Sequence, residues 1–303
     1  MMDPNKQSIT SDPRKAFLLG GAAAGLAGAV GVAAFLRERI QHRRLFLPDR
    51  YPNGVWDPRP FGLEAEDVWF EAADGVRLHG WWVPRKRARA TLLYCHGNWG
   101  SIAHQVGALK LLSRLGFDVF AFDYRGYGRS EGRPSEKGLY LDARAAHDHL
   151  TSTRGVDPRR LFIFGHSLGG AVAIDCALDR QAAGLIVQAT FTDVADASRA
   201  AMPLPGISWV TRNQFRSVRK IGQLALPKLI IHGTEDGTVP VELGRRLYEA
   251  AAEPKQLLLV PGASHNNVPQ HGGLRYYLTL ARFRARCLKQ ATRPLPEPAP
   301  ALT

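Results

Sequence analysis

The stretch Arg159-Arg-Leu-Phe-Ile-Phe-Gly-His-Ser-Leu-Gly-Gly170 decides the fold. Its apolar run, Leu161 to Phe164, has the length and composition of a buried strand. The chain then turns sharply through Gly165-His-Ser-Leu-Gly169, and Ala171 to Leu178 reads as a buried helix. A G-x-S-x-G between a strand and a helix reads as a nucleophile elbow. So tight a turn strains the backbone at Ser167 and leaves no room for side chains two residues either side, where Gly165 and Gly169 stand. The Ser167 hydroxyl then projects from the strand end, and the following helix N-terminus favours negative charge developing beside it.

Working outward, strands and helices alternate. Val68–Ala72 and Val76–Val83 flank Asp74-Gly75, a hairpin signal. Further strands are expected at Ala90–Cys95, Phe117–Phe122, Gly184–Gln188, Lys228–Ile231 and Gln256–Val260. Helices are expected at Ser101–Arg114, Glu136–Leu150, Val241–Ala252 and Gly272–Leu288. This predicts an α/β fold: a mostly parallel eight-stranded sheet with helices on both faces. A short insertion between Phe191 and Pro227 carries the apolar, Pro-broken stretch Met202–Val210, which reads equally as an acyl-pocket wall or as packing. It is too short for a large lid.

A serine hydroxyl needs a base to take its proton and an acid to orient that base. In an open parallel sheet these partners belong in loops beyond the C-terminal ends of later strands. Leu229–Ile231 runs into His232-Gly-Thr-Glu-Asp-Gly-Thr-Val-Pro240, and Leu257–Val260 runs into Pro261-Gly-Ala-Ser-His265. His265 is therefore the candidate base, ahead of His271 at the start of the closing helix. The acid is Asp236 or its neighbour Glu235, which spacing does not separate. His79, His96 and His232 each precede a glycine and read as turn residues, and Asp123 reads as structural. The backbone N–H of Leu168 is one expected oxyanion donor. The other comes from the loop after Cys95, where His96-Gly-Asn98 places the N–H of Asn98. No metal and no cofactor are implied. Cys95, Cys176 and Cys287 are too scattered for a metal site and read as small buried hydrophobes.

The 303 residues suffice for one large α/β domain with a short appendage. The net charge of +13 comes largely from scattered Arg. The densest run, Arg85–Arg89, has no interleaved aromatics, and no nucleic-acid module is present. Anionic lipid is the partner this charge favours. Residues 1–15 are polar and read as disordered. Ala16 to Leu36 then carries no charged or polar side chain over 21 residues. As a helix it would span roughly 30 Å, the hydrocarbon thickness of a bilayer. It reads as a single membrane anchor, with a cleaved export signal and a buried soluble helix as alternatives. Arg14-Lys15 resembles a twin-arginine signal with Lys in second place. Arg37, Arg39, Arg43 and Arg44 outnumber Lys6, Arg14 and Lys15, which leans towards a cytoplasmic catalytic domain. Gly21 and Gly25 form a small-xxx-small pair through which the anchor could dimerise. Residues 37–65 read as a basic, Pro-rich connector, 66–290 as the catalytic domain and 291–303 as a Pro-rich tail.

Six motifs in this order carry a resemblance to the α/β-hydrolases over almost all of 66–290: DGVRLHGWWVP, YCHGNWGS, FDYRGYGRSEG, FGHSLGGAVA, HGTEDGTVP and PGASHN. More narrowly, the chain resembles the membrane-anchored abhydrolase-domain branch, which includes protein depalmitoylases. The resemblance implies Ser167, Asp236 and His265 as a triad, selecting Asp236 over Glu235. Phe191-Thr-Asp193 departs from the Phe-Thr-Ser of the branch. The resemblance does not deliver a substrate class; the activity expected is that of a serine hydrolase cleaving a carboxylic ester or thioester through an acyl-enzyme, on a small acyl ester or an acylated protein or lipid. A serine peptidase and a non-catalytic membrane scaffold are the alternatives. Epoxide and haloalkane hydrolase chemistry would require Asp at position 167.

Overall fold

The computed structural model describes residues 45–201 and 214–291. Ten strands are formed among them: β1 (Leu47–Pro48), β2 (Glu66–Glu71), β3 (Arg77–Val83), β4 (Ala90–Cys95), β5 (Trp99–Gly100), β6 (Phe117–Phe122), β7 (Leu161–His166), β8 (Gly184–Gln188), β9 (Lys228–Gly233) and β10 (Lys255–Val260). Eight of them build one sheet in the order β10-β9-β8-β7-β4-β6-β3-β2. Every pairing is parallel except β2 with β3 and β3 with β6. The eight strands expected from sequence are these eight, with ends shifted by a residue or two.

β4, β8 and β9 are buried along their whole length, as strands covered on both faces must be. Alternate residues feed two cores. Leu93, Cys95, Ile163, Leu185 and Val187 face helices α2 (Glu136–Asp148), α3 (Leu168–Asp179) and α6 (Val241–Ala250). Leu92, Tyr94, Phe162, Phe164 and Ile186 face α1 (Val106–Arg114) and α7 (Val268–Ala291). All three cysteines are free and buried, as the sequence implied. α7 starts four residues earlier than expected because its first turn is a separate piece: Gly273 breaks the helix with φ 44° and ψ −136°.

The connector proposed for 37–65 is, from Leu45 onward, part of the compact domain. Phe46 and Leu63 are buried, and β1 pairs in parallel with β5. Proline richness suggested a linker, but the apolar side chains between the prolines are what pack. The insertion contains α4 (Val194–Ala201) and α5 (Ser217–Ile221), neither of which was foreseen, while Met202–Val210 lies outside the described residues. The anchor at 16–36, its dimerisation pair and the tail from 292 also lie outside them. Among the described residues, no helix is long and apolar enough to cross a membrane.

Candidate active site

Ser167 follows β7 with φ 54° and ψ −120°, a conformation that L-residues rarely adopt. The glycines around it are compulsory. A Cβ on Gly165 would lie 2.1 Å from the carbonyl oxygen of Gly169, and one on Gly169 would lie 2.0 Å from that of Cys95. The elbow is also tied to the end of β8. Ser167 N–H donates to Gln188 O at 2.9 Å, and the Thr190 hydroxyl donates to Ser167 O.

The loop after β9 supplies Asp236 and the loop after β10 supplies His265, whose Nδ1 lies 2.7 Å from Asp236 Oδ2. The other oxygen, Asp236 Oδ1, accepts backbone N–H groups from Thr238 at 2.9 Å and Val239 at 2.8 Å. Burial opposes ionisation of this carboxyl. Hydrogen bonding from His232 and His265, with the Val239 N–H, outweighs burial and holds it well below the usual carboxylate range. Glu235 is exposed, whereas Asp236 is buried and meets His265. The two loops are joined by Glu235 N–H donating to Ala263 O at 2.9 Å. His271 is exposed at the start of α7. His166 Nε2 lies 3.2 Å from His265 O, where it steadies the loop. Two residues go beyond the turn role read from sequence. His232 is fully buried beneath Asp236, with Nε2 at 2.7 Å from Val239 O and 3.4 Å from Asp236 Oδ2. His96 acts on the loop described next.

In the segment His96–Asn98 every carbonyl is held. His96 O accepts from Tyr124 Oη at 3.0 Å, and Gly97 O lies 2.8 Å from His96 Nδ1. Asn98 O accepts both Tyr127 Oη at 2.9 Å and Leu47 N–H at 3.0 Å. Burial lowers the His96 imidazole, against the pull of Asp123, so it is neutral. Burial pushes both phenols up, so they stay O–H donors. The Gly97–Asn98 peptide is thus oriented by its carbonyl, which fixes the Asn98 N–H on the opposite side. The Leu168 N–H opens α3 just after Ser167.

Ser167, His265, Asn98 and Gly97 all line one cavity of about 560 Å³, walled by α1 and the first turns of α7. Among the described residues, no hydrogen bond joins the Ser167 hydroxyl to His265; such contacts often tighten only when substrate binds. The arrangement brings Ser167, the Asp236-held His265 and the Gly97–Asn98 peptide to one opening.

The family described as serine aminopeptidase, S33 matches residues 86–220. The alpha/beta hydrolase domain-containing protein WAV2 of Arabidopsis thaliana is 32% identical over 287 residues, 86% of this chain and 92% of that one. The lysophosphatidylserine lipase ABHD12 of Danio rerio is 33% identical over 242 residues, 71% of this chain and 60% of that one. The esterase Pf2001 of Pyrococcus furiosus superposes with a TM-score of 0.68 at 22% identity, covering 80% of this chain and 98% of that one. Sheet order, elbow and relatives agree: the chain is a hydrolase of the α/β-hydrolase family, on its abhydrolase-domain branch.

Proposed function

We propose that the protein is a serine hydrolase that cleaves a carboxylic ester or thioester through an acyl-enzyme, at a membrane surface. Ser167 Oγ attacks the carbonyl carbon while His265 Nε2 takes its proton. Asp236 holds His265 by Nδ1–H, so that Nε2 is the free acceptor. The oxyanion is received by the N–H groups of Asn98 and Leu168. Collapse expels the alcohol or thiol, which takes the proton from His265. Water then repeats the sequence on the acyl-enzyme, releasing the acid and restoring Ser167. The observation that carries this reading is His265, held 2.7 Å from Asp236 and sharing a cavity with a serine on a strained elbow.

The cavity argues against an aminopeptidase. Such an enzyme must hold a substrate ammonium, and among the described residues lining the cavity none is Asp or Glu. The membrane part of the reading is supported by the apolar stretch Ala16–Leu36, and by a relative named for a lipid substrate. The test is labelling with a fluorophosphonate probe, followed by a panel of acyl esters, thioesters and peptides. Wild type should label and turn over esters, and Ser167→Ala should do neither, with kcat reduced on the order of 10⁶. Undiminished labelling of the folded variant refutes the assignment.

A further inference from the structure

The cavity beside Ser167 carries hydrogen-bonding groups alongside its apolar wall. Although the chain carries +13 net charge, none of the described residues lining this cavity is Asp, Glu, Lys or Arg. Its walls combine aliphatic side chains, Leu111 and Leu112 among them, with aromatic rings and carboxamides. Tyr94 and Phe164, from neighbouring strands β4 and β7, stack with ring centroids 5.5 Å apart and planes 17° from parallel. Two tyrosine–glutamine pairs stand around this stack. Tyr276 Oη donates to Gln188 Oε1 at 2.8 Å, and Tyr94 Oη donates to Gln105 Oε1 at 3.1 Å. Burial keeps both phenols protonated.

In each pair the tyrosine takes the amide oxygen, which leaves the amide NH₂ to face elsewhere. Among the described residues neither Nε2 has a hydrogen-bond partner, and neither is sealed from solvent, although Gln188 is only 6% exposed. Both glutamines line the cavity, and an amide NH₂ turned towards it offers donors to whatever enters. A methylene chain there would strip these donors of water and return nothing, which costs the desolvation of each. An acceptor oxygen would replace the water. Sites built to hydrogen-bond a substrate oxygen discriminate against analogues lacking it far more sharply than apolar pockets discriminate by size.

We infer that Gln105 and Gln188 are specificity-determining residues, and that the moiety bound in this cavity is neutral and oxygen-bearing, with ether, carbonyl or hydroxyl oxygens along it. This rests on the hydrolase reading above and names its substrate class.

The test compares two isosteric 4-nitrophenyl esters, the heptanoate and the (2-methoxyethoxy)acetate, on wild type, Gln188→Met and Gln105→Met. Methionine keeps length and volume but has no N–H. The ratio of kcat/KM for diether over alkyl ester should fall about tenfold in each variant, the value of one hydrogen bond. Differences in ester reactivity and ligand hydration cancel when the ratio is compared between proteins. Gln188→Met deprives the buried Tyr276 hydroxyl of its acceptor; if it does not fold, the half-buried Gln105→Met gives the answer. A ratio that is the same in wild type and variants overturns the inference while leaving the hydrolase reading intact. Failure of wild type to cleave either ester counts against the hydrolase reading alone. Calorimetric binding of heptanamide and (2-methoxyethoxy)acetamide to Ser167→Ala, with and without the glutamine changes, then decides the inference. Tighter diether binding that each change weakens about tenfold supports it, and equal binding overturns it.

Discussion

Asp236→Asn tests the site more sharply than removing the nucleophile, because the structure dictates how the new side chain must sit. Asp236 Oδ1 receives two backbone N–H groups, from Thr238 and Val239. An asparagine must keep its oxygen there, since its NH₂ would otherwise face two donors. The NH₂ is then turned onto His265 Nδ1, now 2.7 Å from a carboxylate oxygen. Two N–H groups cannot share that contact, so His265 gives up the Nδ1 proton and carries it on Nε2. In that tautomer the ring cannot accept the Ser167 proton. A triad Asp→Asn change that traps the wrong tautomer costs about 10⁴ in kcat, or about 5.5 kcal/mol of barrier. Glu235→Gln alters an exposed side chain and should stay within a few-fold of wild type. The assay is turnover of a soluble chromogenic ester, with circular dichroism to show that both variants fold. A folded Asp236→Asn protein within tenfold of wild type refutes the reasoning, and so does a larger loss in Glu235→Gln.

Three further outcomes follow from the same contacts. Tyr127→Phe removes one of the two hydrogen bonds on Asn98 O, so it should lower kcat several-fold and weaken a boronic acid inhibitor in parallel, with KM nearly unchanged; a KM effect alone would contradict a role in the oxyanion loop. Burial first, and His265 second, hold the His166 imidazole down to about 4, its remaining exposure being to the cavity it lines. The unfolded chain therefore binds more protons than the folded one between pH 4 and 6.5, so thermal stability should rise with pH across that window, and His166→Gln should flatten the rise. Deletion of residues 1–42 leaves the compact domain whole and should preserve turnover of a soluble ester while slowing it on a vesicle-embedded one. Deletion of 1–65 removes buried Phe46 and Leu63 and should abolish soluble expression; equal rates on vesicles before and after the shorter deletion would sink the membrane-substrate reading.

Hydrophobic runs and turn residues made the sheet legible in the sequence, because strands buried on both faces announce themselves by length and composition. The elbow was legible from its glycines, and Asp236 and His265 stood out because each lies in the loop that follows a later strand. What sequence could not show was tertiary. Gln188 reads as the last residue of β8, and its partner Tyr276 is 88 positions away on α7. Likewise, nothing local in His232-Gly-Thr-Glu-Asp236 says that the histidine turns back beneath the acid four residues on. The segment 45–65 was misread because proline content was weighed above its buried Phe46 and Leu63.

The FDYRGYGRSEG motif shows what such long-range contacts accomplish. From sequence, Asp123 marked only the end of a strand. In the fold, Asp123 Oδ1 accepts the Ile102 N–H at 2.8 Å, while Tyr124 and Tyr127 reach the carbonyls of His96 and Asn98. One short loop after β6 therefore anchors both ends of the loop after β4. An amide donor stabilises a developing oxyanion only if it is already aimed when charge appears, since reorienting it would consume the gain. Satisfying each carbonyl of His96–Asn98 on the protein side also keeps their negative ends out of the cavity. Two phenols, an imidazole and the Leu47 backbone thus do for the Asn98 N–H what the first turn of α3 does for that of Leu168. The two donors proposed for the oxyanion are fixed by unrelated parts of the chain, which is why the tyrosines of a motif outside the cavity lining should govern kcat rather than substrate affinity.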